Sequence, residues 1–387
     1  MKTRYYFAPI VLLLIAAFLL CRSASPLAAQ DITTLNWEYS SQGLPANASP
    51  PRLLSITAIV SQPNRFASTS ELIFAGTAGA GVYRSSDSGR TWAAVNNGLA
   101  SLTVNALFVE GINLYAGTTN GLFQSSNSGQ SWERVPIRVG IFGTSFITAL
   151  AGGTVGNRTF LFVGSNNGVF RSRNGGTTWE YYNSGLSSTQ YITALLFTQR
   201  RLFAGTPNDG VVVTAPDSLN ADWRQPSQGI SPLPISAFAV AGDGSILVGT
   251  NGAGVFRSLD NGTTWNPLNA QLDNPNITAL GALGDRVYAA TSFGVYAKTN
   301  RVDSWTNINT GFPIRSVGSI LPFGGQLIVA AGANIVRGTV FQSRPPTISS
   351  VIPSSTPARL TGLDSVVTLN GSNFNEPLVT FAGRGLR

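Results

Sequence analysis

This 387-residue chain contains no histidine, one cysteine and one methionine, and only 11% of its residues are charged. Without histidine there is no imidazole to act as general base, proton shuttle or metal ligand. The single cysteine, Cys21, lies in an apolar N-terminal run, so disulfides and cysteine nucleophiles are excluded from the rest of the chain. No cofactor or metal site is expected. Lysine is scarce as well, with Lys2 and Lys298 the only two. The net charge is +8; Lys2, Arg4 and Arg22 precede residue 30 with no acid beside them, which leaves +5 beyond it. No later basic run is longer than Arg200-Arg201. That balance favours solubility and offers no stripe for nucleic acid. No long 3.6-residue periodicity follows residue 25, which argues against helices.

Residues 1–29 have the layout of a secretory signal. Lys2 and Arg4 precede the apolar run Phe7 to Leu20, and small residues suit cleavage after Ala29. The run is short for a membrane span, which needs about 20 residues. A lipoprotein attached at Cys21 and an uncleaved anchor are the alternatives; the bulky Leu19-Leu20 speaks against the first. The expected location is secreted or cell-surface, with the periplasm as the alternative. No membrane span is expected after cleavage.

What the chain does have is glycine, 42 residues of it, and seven tryptophans at 37, 92, 132, 179, 223, 265 and 305. After a first interval of 55 they recur every 40, 47, 44, 42 and 40 residues. A period of about 40–50 residues is that of a four-stranded propeller blade. Each unit carries four short apolar runs bounded by Gly, Asn and Ser, as strands should be. In the second unit these are Val104 to Val109, Asn113 to Thr118, Gly121 to Ser125 and Ser131 to Val135. Units ending at Trp92, Trp132, Trp179, Trp223, Trp265 and Trp305 are expected to have all four strands. A seventh, beginning at Val317, lacks its Trp strand, whereas Leu35-Asn36-Trp37-Glu38-Tyr39 stands orphaned at the other end. The sequence therefore predicts an all-β, seven-bladed β-propeller, expected to be monomeric, with the N-terminal strand completing the last blade.

An octet precedes most of the tryptophans. Ser85-Ser86-Asp87-Ser88-Gly89-Arg90-Thr91-Trp92 and Ser258-Leu259-Asp260-Asn261-Gly262-Thr263-Thr264-Trp265 share the pattern S-x-D-x-G-x-T-W. Asn127 and Asn174 replace the acid in the octets ending at Trp132 and Trp179. The unit ending at Trp305 keeps only Asn300 and Ser304, and the one ending at Trp223 has lost the pattern. On these residues the chain from about 30 to 343 resembles the BNR/Asp-box seven-bladed propellers. That group includes sialidases, xyloglucan-cleaving hydrolases, sortilin-type receptors and the photosystem II assembly factor. The resemblance implies that the octets lie between strands three and four, away from the active face. Interchange of Asp with Asn fits a turn staple rather than a general acid, so Asp87, Asn127, Asn174 and Asp260 are read as structural, with Trp92, Trp132, Trp179 and Trp265 packing between blades.

The functional residues are sought on the opposite face, where the turns between strands two and three meet the connections between blades. Asn120, Asn166, Asn167, Asn208, Asn251 and Phe293 stand there, and the connection after Val135 adds Arg138 and Phe142. Amides with an aromatic suit contacts to a sugar or peptide. Glycoside hydrolysis needs two carboxyl groups about 5–10 Å apart. Asp209 is the best candidate for one; no second acid occupies the same turn in another blade, and Asp222, Glu110 and Glu133 read as strand-end or surface charges. The expectation is a binding or adhesion protein for an extracellular glycan or protein. A glycoside hydrolase and a periplasmic assembly factor are the alternatives.

The stretch 344–387 differs in kind. Pro345 to Pro353, Val366 to Phe374 and Leu378 to Gly383 resemble part of an IPT/TIG domain, an immunoglobulin-like fold. Its 44 residues are about half of such a sandwich, so an incomplete domain is expected.

Overall fold

A computed structural model describes residues 35–44, 55–63, 71–139, 142–143, 146–187, 191–217, 222–225, 228–230, 232–313, 316–340, 347–353 and 367–372. The leader 1–29 lies outside them. No helix occurs among the described residues, and none is therefore long and apolar enough to cross a membrane.

Seven antiparallel sheets form the ring. Blade one is Ile56–Pro63, Glu71–Thr77, Gly81–Ser85 and Ala93–Ala94. Blade two is Val104–Glu110, Asn113–Thr118, Gly121–Ser125 and Glu133–Val135; blade three is Ile147–Val155, Arg158–Ser165, Gly168–Ser172 and Glu180–Tyr181. Blade four has Ala194–Thr198, Arg201–Gly205 and Val211–Thr214. Blade five is Ile235–Val240, Ile246–Thr250, Val255–Ser258 and Asn266–Pro267, and blade six is Ile277–Leu283, Arg286–Thr291, Gly294–Thr299 and Thr306–Asn307. Blade seven joins Ser319–Phe323, Gln326–Ala331 and Asn334–Val340 to Leu35–Tyr39. There Leu35 pairs with Val340, Trp37 with Gly338 and Tyr39 with Val336, so the N-terminal strand closes the ring as the orphan Trp strand implied.

Two expectations need correction. Among the described residues blade four has no complete fourth strand; the bridge Val213–Arg224 stands in its place. Pro216 and Pro226 flank that bridge, and proline supplies no N–H to a ladder. The tryptophans also precede the fourth strands instead of lying in them, except Trp37. The physical reason is a competing partner. The Trp92, Trp132, Trp223 and Trp305 N–H groups donate to Gln42, Asn97, Ser184 and Ala270 in the connection that follows the preceding blade.

The first strands neighbour one another all the way round, and that of blade seven meets that of blade one, so they form the inner wall. Burial then divides into seven hydrophobic clusters, one at each blade junction and each with one tryptophan. Trp92, for example, packs with Ile56 and Tyr83 of blade one and with Ile328, Ala330 and Ile335 of blade seven. Five indoles also donate to a main-chain carbonyl of the preceding blade: Trp37 to Ile308, Trp92 to Ser40, Trp132 to Val95, Trp223 to Tyr182 and Trp305 to Leu268, at 2.7–3.0 Å. A buried Trp finds both apolar area and a polar partner this way; removing one ring costs about 3–5 kcal/mol.

A second contact fixes blade spacing near the inner wall. In blades two to six a β-branched residue at or just before the start of strand one presses on the second strand of the blade before it. A Cβ built on Gly117 would lie 2.6 Å from Ile147 Cγ2, and one on Gly164 would lie 2.7 Å from Ile192 Cγ2. Gly76, Gly205 and Gly249 face Val104, Ile235 and Ile277 in the same way. The residue after the wedge is a bulge in five blades, at Thr57, Asn105, Thr148, Ser236 and Thr278. Two bulge side chains reach the next wedge: Thr57 Oγ1 donates to the Val104 carbonyl at 2.6 Å and Asn105 Nδ2 to the Ile147 carbonyl at 2.7 Å.

Beyond the ring, Thr347–Pro353 and Val367–Ser372 pair as an antiparallel hairpin. The rest of the expected immunoglobulin-like segment lies outside the described residues.

Two outcomes follow from this packing. Deleting residues 30–40 strips blade seven of its outer strand and should lower the melting temperature sharply, measured by circular dichroism. Gly117→Val forces a branched side chain into the Ile147 wedge and should destabilise by about 1–3 kcal/mol, read as a lower denaturation midpoint in urea.

Candidate binding face

In each blade the chain runs outward from strand one to strand four. The turns between strands two and three therefore lie at the same end of the sheet as the connections to the next blade. Hydrogen bonds join these two sets of loops directly. In blade one, Gly79 and Gly81 donate to Leu102 O, while Ala78 donates to Ser55 O. In blade five, Asn251 donates to Pro234 O, and Gly252 and Gly254 to Pro275 O. In blade two Thr119 donates to Thr103 O. Each of these turns is thus tied to a neighbouring connection, and together they make a braced collar.

A second set of residues fixes the turns from the outer side. The Oδ1 atoms of Asn96, Asn183, Asn269 and Asn309 accept from the N–H of Val82, Val169, Val255 and Val295 at 2.7–2.8 Å. Nδ2 of the first three donates to the turn carbonyl of Ala80, Asn167 or Ala253 at 2.9–3.0 Å. In blade seven Ser41 Oγ takes this place and accepts from Ile335 N. Sequence reasoning missed these clamps. Their signal was present as the repeated Asn-x-Gly-Leu of Asn96 to Leu99 and Asn183 to Leu186.

The candidate residues spread around this collar. Asn120, Asn166, Asn167, Asn208 and Asn251 are exposed in their turns, and Phe293 is 59% exposed. Arg138 and Phe142 fall on a small extra hairpin, Arg138–Val139 with Phe142–Gly143, in the connection between blades two and three. Asp209 is half-buried; its N–H donates to Thr206 Oγ1 at 2.9 Å and its Oδ2 accepts from Ser187 Oγ at 3.1 Å. An acid that sequence reasoning overlooked, Asp273, sits in the connection between blades five and six and accepts from Tyr296 Oη at 3.5 Å. The turn of blade five separates it from the Asp209 turn. Asp222 accepts from Ser184 Oγ and Glu110 from Thr154 Oγ1, in keeping with local structural charges. No group of three or more acidic or sulfur side chains that could hold a metal occurs among the described residues.

The octets occupy the opposite end, between strands three and four. Asp87 Oδ1 accepts from Ser85 Oγ and from the N–H groups of Arg90 and Thr91, and Oδ2 accepts from Thr91 Oγ1. Asp260 repeats the set with Ser258, Thr263 and Thr264. Where Asn stands instead, one bond reverses: Asn127 Nδ2 donates to Ser131 Oγ at 2.8 Å and Asn174 Nδ2 to Thr178 Oγ1 at 2.9 Å. A hydroxyl both donates and accepts, so it serves either partner. That is why the acid and the amide interchange. The turn is otherwise demanding: Ser88, Ser128 and Asn261 hold φ of 56–60° ahead of the octet glycine. Arg84 and Arg337 reach the octets of the next blade at the carbonyls of Ser128 and Ser88, and Arg171 reaches the Pro216 carbonyl of blade four.

The carboxylates of the two acidic octets are shifted by this cage. Burial pushes Asp87 upward, but the bonds from Thr91, Ser85 and Arg90 outweigh it and hold the group at about 2. For Asp260 the Thr264 N–H leads, against a smaller burial effect, and the result is again about 2. A folded pKa below the unfolded value of about 3.9 gives stability that is present above pH 4 and lost as pH falls toward 2. The double variant Asp87→Asn, Asp260→Asn should melt near the parent at pH 7 and lose less of its stability between pH 4 and 2, measured by thermal melts across that range.

The fold has known counterparts. A model for the DUF6242 beta propeller domain matches residues 177–323. YCF48 bound to D1 peptide superposes with a TM-score of 0.60 at 16% identity, covering 78% of this chain and 96% of that one. YCF48 from Cyanidioschyzon merolae gives 0.55 at 14% identity, covering 78% and 98%. The extracellular domain of BT4673 from B. thetaiotaomicron gives 0.58 at 17% identity, covering 84% of this chain but 42% of that one. These superpositions show a shared fold, the seven-bladed propeller. No curated protein sequence matches the chain.

Proposed function

We propose that this chain is a BNR/Asp-box propeller that works as a binding module outside the cytoplasm, presenting its collar of loops to an extracellular protein or glycan. The observation that carries the reading is the collar itself. Its turns are tied to the connections beside them and clamped by Asn96, Asn183, Asn269 and Asn309, so exposed groups such as Asn208, Asn251 and Phe293 are held in place before a ligand arrives. Pre-organised loops lose little entropy on binding. The likeness to YCF48 bound to D1 peptide and to the extracellular domain of BT4673, described as part of a one-component or hybrid two-component system, supports a protein-facing role in such a compartment. A non-catalytic role is supported by the placing of Asp209, which bonds Ser187 and stands a blade away from Asp273.

The test compares capture of soluble extracellular proteins and glycan-array binding by the parent, by Phe293→Ser with Asn208→Ala, and by Asp260→Asn at the opposite end. The collar variant should lose its ligands while the Asp260→Asn protein keeps them. Hydrolysis of xyloglucan or sialosides that disappears in Asp209→Ala would overturn the reading in favour of a glycoside hydrolase.

A further inference from the structure

The octet end carries a cleft of about 440 Å³ between blades three and four. It is lined by Val155, Asn157, Arg158 and Phe160 of blade three and by Arg200 and Asp217 of blade four. Its position coincides with the breakdown of the repeat. Blade four lost the octet, and Asp217 stands in the turn that replaced it.

Arg200 is held there at a conformational cost. Thr198 pairs with Arg201, so Gln199 and Arg200 form a two-residue hairpin turn with φ of 47° and 61°. Both residues carry a Cβ in a conformation that favours Gly or Asn. In the equivalent turns of blades two, three, six and seven, Gly111, Gly156, Gly284 and Gly324 stand in the place of Gln199, and in the place of Arg200 only Gly325 of blade seven has such a φ. Backbone strain of this kind concentrates at functional sites. Gln199 Nε2 braces the turn on Gly244 O at 3.1 Å. Arg200 Nε and Nη2 both bond Asp217 Oδ2, at 2.9 and 2.6 Å, which aims the guanidinium and leaves Nη1 without a bond among the described residues. Across the cleft Arg158 is exposed and makes no ion pair among the described residues.

We propose that this cleft binds a small organic monocarboxylate with a compact apolar body, its carboxylate held between Arg158 and Arg200. The charge count sets the valence. Two guanidiniums against one Asp217 carboxylate leave a single positive charge, enough for a monoanion. The bond from the Arg200 guanidinium, against a weaker burial effect, lowers the Asp217 pKa, and a second negative charge on the ligand would find no further cation in the lining. Guanidinium forks match a carboxylate geometrically. Val155 and Phe160 supply the apolar wall that an aryl or branched alkyl group would cover. The site lies at the end of the ring opposite the collar, so its failure and that of the collar reading are separable.

Calorimetric titration of the full chain with phenylacetate, benzyl alcohol and inorganic phosphate tests the proposal. Phenylacetate should bind saturably, with benzyl alcohol and phosphate at least roughly tenfold weaker. Arg158→Ala should weaken phenylacetate by a similar factor. Arg200→Gly should also weaken it, yet melt at or above the parent temperature because the strained turn is relaxed. Absence of saturable phenylacetate binding overturns the proposal, as does phosphate binding equally well. So does an Arg158→Ala protein that binds like the parent. Arg200→Gly with binding intact and a lowered melting temperature would make Arg200 a structural residue and overturn it too.

Discussion

Contact between neighbouring blades is the constraint on which this molecule rests. A four-stranded sheet is apolar on both faces and too small to bury either alone. Stacking seven of them in a ring supplies each face with a partner, and the hydrophobic residues sort into one cluster per junction. Each cluster has a tryptophan near its outer rim and, in most blades, a β-branched wedge pressed against a glycine near its inner rim. The first sets how far apart the blades sit outside and the second how closely they approach inside. Together they define the wedge shape that lets seven blades close. The Trp37 strand belongs to the same logic: without it blade seven would leave both an open edge and an unfilled junction with blade six.

Rigid junctions have consequences at both ends of the ring. At one end the octets lock the outer turns through a cage of hydrogen bonds that accepts Asp or Asn, because the facing hydroxyl can reverse its role. Asp87 and Asp260 therefore spend their carboxylate oxygens on bonds within the turn. At the other end the turns and connections are tied to each other and to the clamping asparagines, so the surface available to a ligand is already ordered. Function in such a scaffold is sought where the repeat is broken. Blade four is the clearest case: its sequence has no octet, among the described residues a single bridge stands for its fourth strand, and it carries Asp209 at one end and the strained Arg200 turn with Asp217 at the other.

Much of the fold was legible in the sequence, because each blade is encoded locally. The tryptophan period, the four apolar runs and the octet spacing all arise from residues within a few tens of positions of one another. Ring closure was legible for the same reason: a unit short of one strand and an orphan strand of the missing type can be counted without coordinates. Asn96 and its equivalents were also within reach, since each lies 14 residues beyond the valine it holds. Where local reading failed, a second partner had entered. The tryptophans leave their strands because their N–H groups bond the preceding blade, and the fourth strand of blade four is cut short between two prolines.

The sequence by itself determined the all-β class, the number of blades and the closing strand, and it set Asp87, Asn127, Asn174 and Asp260 at the same place in a repeated turn. Only the tertiary structure decided which glycines must be glycine, which indoles are bonded and to what, and which charges share a surface. Gly117 is demanded by Ile147, Trp37 is bonded to Ile308, and Arg158 faces the cleft with Arg200 and Asp217. None of these pairings follows a spacing rule, because the partners belong to different blades and are brought together by the closure of the ring. Strand and turn preferences act over a few residues; the approach of one blade to the next is set by side-chain volume and by the angle each junction imposes.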